Sequence, residues 1–119
     1  MASHLQKTLE EVIEFKGVGL HSGVEANLRL KPAEPNFGIK FKRTDIDSHK
    51  NIIEANYKNV ISPILCTKIQ NSHGVSVSTI EHLMAAFYLE GVDNALVELD
   101  APEVPIMDGS AFDFAHAIK

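Results

Sequence analysis

The chain has 119 residues, 45% of them hydrophobic, a formal net charge of -5 and a single cysteine. That length suits one compact domain, and the apolar fraction is enough to build its core. The acidic balance argues against a nucleic-acid footprint, the lone Cys66 excludes an intrachain disulfide and a Cys-rich zinc site, and no apolar run approaches the roughly 20 residues that span a bilayer.

Met1-Ala2-Ser3-His4 has no secretory hydrophobic stretch. With the single cysteine, which fits a reducing compartment, this gives the expectation of a soluble cytoplasmic protein. Leu9 to Phe15 then reads as a strand leading into the turn Lys16-Gly17-Val18-Gly19. Val24, Ala26, Leu28 and Leu30 alternate with Glu25, Asn27, Arg29 and Lys31, the period of a half-buried strand. Pro32 to Asn36 is a connection. Ile39, Phe41 and Arg43 alternate with Lys40 and Lys42 in a third strand, whose basic cluster Lys40, Lys42 and Arg43 reads as a solvated face. These runs suggest an antiparallel meander. Ile52-Ile53 and Val60-Ile61 are short apolar patches with the look of edge strands. Ile64 to Gln70 is another strand, and Asn71-Ser72-His73-Gly74 is its hairpin turn.

A helix follows from Ser78. Ser78 as N-cap and Glu81 three positions later make a capping box. Ile80, Leu83, Met84 and Phe87 supply a buried stripe, and Gly91 is placed to end the helix. Asn94 to Leu99 is a strand with Ala95, Val97 and Leu99 on one face. Ala101-Pro102-Glu103-Val104-Pro105 is irregular because proline removes donors and fixes φ. Asp108-Gly109-Ser110 opens a second helix with Phe112, Ala115 and Ile118 on its buried face. The expected fold class is α+β, a two-layer sandwich with a mainly antiparallel sheet and two helices packed on one face. Residues 1–119 form a single domain, without internal repeats. The last helix runs into Lys119 without a C-cap signal, which suggests a chain cut soon after a domain boundary.

Four segments carry candidate chemistry. Glu81 and His82 join a proton acceptor to a potential metal ligand: a neutral imidazole binds zinc, and a carboxylate beside it takes a proton from an activated water. The alternative is a capping residue beside a surface histidine. Gly17-Val18-Gly19-Leu20-His21-Ser22-Gly23 is either a tight strand connection or a weak phosphate-loop signal, weak because no helix start follows it. Leu65-Cys66-Thr67 places a small thiol in a strand, where buried cysteine usually packs. The rigid loop from Ala101 to Ala111 carries Asp108, which could simply stabilise a helix N-terminus.

Taken in order, Gly17-Val18-Gly19-Leu20-His21-Ser22-Gly23, Arg43-Thr44-Asp45, Leu65-Cys66-Thr67, Ser78-Thr79-Ile80-Glu81-His82-Leu83 and Pro102-Glu103-Val104-Pro105-Ile106-Met107-Asp108-Gly109-Ser110-Ala111 resemble the zinc-dependent UDP-3-O-acyl-N-acetylglucosamine deacetylases of lipid A biosynthesis in Gram-negative bacteria. The resemblance implies that Glu81 is a general base and His82 a zinc ligand. It implies a substrate, UDP-3-O-acyl-N-acetylglucosamine, from which acetate is removed. It also places His21, Cys66 and Asp108 around the cleft. His21 could contact the substrate or orient a neighbour, Cys66 could line the cleft near the acyl chain, and Asp108 could support a ligand from behind.

Members of that family have two similar domains, and the second supplies the remaining zinc ligands in a His-Lys-x-x-Asp motif. Here His49-Lys50 is followed by Asn51-Ile52-Ile53, and His116 by Ala117, so the motif is missing. The implied protein is therefore the N-terminal half of a two-domain enzyme. The chain alone is expected to hold Zn2+ weakly and to be inactive, because a catalytic zinc usually has three protein ligands. An exposed apolar face, drawn from Met84, Phe87 or Ile106-Met107, is expected where the other domain would sit. The runner-up is a non-catalytic binding or interaction module of the same fold. A hydrolase using Cys66 as nucleophile is a poor third reading, since nothing local marks an activated thiolate.

Overall fold

The structure, a computed structural model, describes residues 5–56, 59–62, 67–105, 114 and 117–118. The strands are β1 (Ile13–Val18), β2 (Glu25–Pro32), β3 (Ile39–Arg43), β4 (Ile52–Glu54), β5 (Val60–Ser62), β6 (Lys68–Gln70), β7 (Ser76–Ser78) and β8 (Ala95–Leu99), with α1 (Glu81–Glu90) between β7 and β8. The fold is α+β. Its main sheet has five strands in the order β1-β2-β8-β3-β4, and β5-β6-β7 form a second sheet. Among these described strands the pairings are antiparallel except β3 with β8.

The sequence pattern determines the faces of the main sheet. Ala26, Leu28 and Leu30 point inward from β2, and Ala95, Val97 and Leu99 from β8, while their alternate neighbours face out. Phe41 and Ile53 continue this layer, Ile69 and Val77 come from the second sheet, and Leu83, Ala86 and Phe87 come from α1, all in one cluster. Full burial of each large side chain contributes about 1.5–3 kcal/mol. The outer face is charged instead. Arg29 bridges Glu14 at 2.8 Å, and Lys31 lies 3.2 Å from Glu98.

Several expectations are corrected. The strands do not form a meander, because β8 inserts between β2 and β3 and runs parallel to β3. Alternation marks a strand and its buried face but not its neighbour. The first strand begins at Ile13 rather than Leu9, and Gly17 lies within it, paired with Ala26. Leu9 is still buried, held near β8 by the Thr8–Asn94 bridge.

Arg43 is not on a solvated face. Its guanidinium is buried, bidentate to Asp45 at 2.8 and 2.7 Å, and donates to the Ser76 carbonyl at 2.8 Å. It thereby ties β3 to β7. The Arg43 hydrogen bonds hold the Asp45 carboxyl below the usual carboxylate range, against an opposing effect of burial.

The helix also differs from expectation at its start. Ser78 ends β7, Thr79 follows with φ 60°, and Ile80 is the N-cap without a side-chain cap bond. No capping box forms. The helix ends as expected at Gly91, whose φ of 70° lets its N–H reach the Phe87 and Tyr88 carbonyls. α1 is the one complete helix among the described residues, not one of two; the second helix falls largely outside them, although Phe114, Ala117 and Ile118 are helical. Buried Phe114 meets Phe15 edge-on, with ring centroids 4.9 Å apart. No helix among the described residues is long and apolar enough to cross a membrane.

Candidate active site

Glu81 and His82 are the first two residues of α1, and both are partly exposed. Neither is locked inside the apolar layer, which lies on the side of Leu83, Ala86 and Phe87. Thr67 does the work that the capping box was expected to do. Its carbonyl accepts the Ile80 N–H at 3.3 Å, and its own N–H donates to Glu81 Oε1 at 3.2 Å. One oxygen of the Glu81 carboxylate is thus aimed by backbone from the Leu65-Cys66-Thr67 string. The acidic first turn also complements the positive end of the helix dipole.

The Gly-rich loop is occupied by the chain's own carboxylate. Glu103, 2% exposed, accepts the His21 N–H at 3.0 and 3.1 Å, the Ser22 N–H at 2.7 Å and the Thr79 hydroxyl at 2.5 Å. Burial raises the Glu103 pKa, but the bonds from Thr79, Ser22 and His21 outweigh it, so the carboxyl sits below its ordinary value. The loop therefore binds an internal anion, which disposes of the phosphate-loop reading for these amides. Gly19 is required by space: a Cβ there would collide with the Glu103 carboxylate and with Ser22 Oγ.

The loop and the helix head are consequently one unit. Glu103 joins the His21-Ser22 backbone to Thr79, which stands two residues before Glu81. Backbone bonds reinforce it, since the Ser78 N–H donates to the Pro102 carbonyl at 2.8 Å and the Val104 N–H to the Ser78 carbonyl at 3.1 Å. His21 enters this unit through its backbone, and its residue is exposed. Cys66 and Asp108 lie outside the described residues.

Sequence reasoning missed Thr67, Thr79 and Glu103. Glu103 had one signal, a carboxylate between two prolines in a segment that cannot be regular structure. The left-handed backbone of Thr79 had none, because a β-branched residue is the last type expected there.

Among the described residues, no group of three His, Cys, Asp or Glu side chains is placed to hold a metal. The expected apolar face also needs correction. Phe87 is 1% exposed and Met84 packs against the core, whereas Tyr88 and Leu89 are 86% and 67% exposed. Ile106 and Met107 fall outside the described residues.

An α+β chain that presents a carboxylate and an imidazole side by side at a helix start has two of the groups from which hydrolytic sites are assembled. The family is narrower than that class: the model described as LpxC, UDP-3-O-acyl N-acetylglycosamine deacetylase, matches residues 6–119, and the chain belongs to this family. A UDP-3-O-acyl-N-acetylglucosamine deacetylase of Vibrio cholerae serotype O1 is 46% identical over 114 residues, covering 96% of this chain and 37% of that protein. Proteins of the same name from Vibrio atlanticus and Vibrio campbellii are also 46% identical over 114 residues. The chain thus spans 37% of the length of these relatives.

Proposed function

We propose that this chain is the N-terminal domain, residues 1–119, of a cytoplasmic zinc-dependent deacetylase that removes acetate from UDP-3-O-acyl-N-acetylglucosamine in lipid A biosynthesis. The observation that carries the reading is the Glu81–His82 pair, partly exposed at the head of α1, with the carboxylate held by the Thr67 amide. Family membership and the relatives' names support the substrate and the reaction. A second helix packed beside α1 on the same face of the sheet completes the domain, a reading supported by the burial of Phe114 against Phe15.

His82 fits one ligand of a metal site and no more, because the described residues bring no further pair of donors to it. The other ligands would come from the remaining length of the protein. Zinc, when bound, supplies a Lewis acid that polarises the acetamide carbonyl and makes water a better nucleophile. Glu81 takes the proton of the attacking water as its oxygen bonds to the carbonyl carbon. The C–N bond then breaks as the nitrogen receives the proton that Glu81 took, so the products are the free amine and acetic acid, which ionises to acetate, and the Glu81 carboxylate is restored. His21, Cys66 and Asp108 border the cleft in this reading.

The experiment compares the full-length protein with Glu81→Gln and His82→Ala. Glu81→Gln is expected to keep its zinc and lose about 10²–10⁴-fold in kcat, and His82→Ala to lose zinc. The 119-residue chain alone is expected to bind zinc weakly and release no acetate. Full turnover by Glu81→Gln would refute the assignment of the base.

A further inference from the structure

We propose that Glu103 is a positioning residue for the Glu81–His82 pair, acting through Thr79. This rests on the function proposed above and adds to it the device that places the pair. Three observations carry it. Glu103 is buried yet charged, and its carboxylate gathers donors from two segments far apart in sequence. Thr79 has φ 60°, a conformation that a β-branched residue adopts only when its surroundings enforce it. Thr79 is also the link through which β7 turns into α1, so its backbone sets where the first turn of the helix begins.

The physical chain runs outward from the carboxylate. Oε2 accepts the Thr79 hydroxyl, and Oε1 accepts the His21 and Ser22 amides. Hydrogen bonds to a buried charge are among the stronger ones in a protein, and together they can hold a sparsely populated backbone conformation. With Thr79 so held, Ile80 reaches the Thr67 carbonyl and Glu81 reaches the Thr67 amide. Released, Thr79 relaxes toward negative φ, and the head of α1 turns away from Thr67. The backbone bridge between Ser78 and the Pro102–Val104 segment persists without the carboxylate, so the domain keeps its fold while the pair moves.

Two variants test this. Glu103→Gln keeps the size but loses the charge and one acceptor. Thr79→Val replaces the hydroxyl with a methyl of similar size and so removes the donor to Glu103. In the 119-residue chain, nitrogen–proton correlation spectra of both variants should show the Thr67, Glu81 and His82 amides shifted while those of Leu30, Phe41 and Val97 stay in place. In the full-length protein, kcat should fall by about 100-fold, the usual consequence of misplacing a catalytic group by about 1 Å, with KM unchanged. Thr79→Ser, which retains the hydroxyl, should recover most of the loss. Should Glu103→Gln not fold, Thr79→Val decides the matter alone. Folded variants whose Thr67, Glu81 and His82 amides match the parent would overturn the proposal. The spectra require no turnover, so an inactive parent enzyme would count against the proposed function and leave this test standing.

Discussion

The five-stranded sheet and the junction between β7 and α1 are held by different physics. In the sheet, burial dominates: Leu28, Leu30, Phe41, Val97 and Leu99 are at most 1% exposed, and every inward position is apolar from Ala26 to Leu30. At the junction, polar and charged groups are buried beside apolar Val77 and Ile80. Thr79 and Glu103 are 3% and 2% exposed, and directional hydrogen bonds hold them: the Thr79 hydroxyl and the His21 and Ser22 amides all donate to the Glu103 carboxylate. The first region tolerates change in proportion to lost volume. The second depends on a few directional contacts, which suits it to fixing where α1 begins.

The largest expected effect tests the sheet. Phe41→Ala removes a fully buried ring beside Val97, and unfolding in urea should show a loss of about 3–5 kcal/mol. The Glu81 and His82 signals of the folded fraction should stay in place. A variant that is fully stable, or that stays folded with displaced Glu81 and His82 signals, would break the separation between the two regions.

A medium effect tests the junction through acidity. Glu103 and Asp45 both have carboxyls held below their ordinary values. The folded state therefore binds protons less readily than the unfolded chain, and these groups stabilise the fold fully above the ordinary carboxylate range. That stabilisation is lost as pH falls from about 4 through the lowered folded values. Midpoints of urea unfolding should decline over this range, and the decline should be shallower in Glu103→Gln. An identical slope in the variant would mean that the Glu103 carboxyl contributes nothing to the acid response.

The same contrast governs what the chain alone could disclose. Strand faces were legible because the period of alternation is a local property, as in β2 and β8. The end of α1 was legible because Gly91 supplies the left-handed cap that the geometry needs. The insertion of β8 between β2 and β3 was not, since neighbour choice depends on contacts about 55 residues apart. Arg43 looked like a surface cation because, beyond nearby Asp45, its other partner, the Ser76 carbonyl, arrives only when β3 meets β7. Around the candidate site, the adjacency of Glu81 and His82 was legible, but the Thr67–Glu81 and Thr79–Glu103 contacts join segments apart in sequence.

The smallest effect separates two accounts of the helix start. A capping box predicts that Ser78→Ala costs about 1 kcal/mol, because the hydroxyl would satisfy an orphan amide of the first turn. In the structure Ser78 belongs to β7 and is paired with Lys68, and its N–H and carbonyl bond the Pro102–Val104 segment through backbone alone. Alanine preserves both of those bonds. The expected loss is therefore within about 0.5 kcal/mol, read as the shift in urea midpoint at constant slope. A full 1 kcal/mol loss would restore Ser78 as the cap. It would also remove the reason for Thr67 to carry the head of α1, because the helix would then begin under its own side chains.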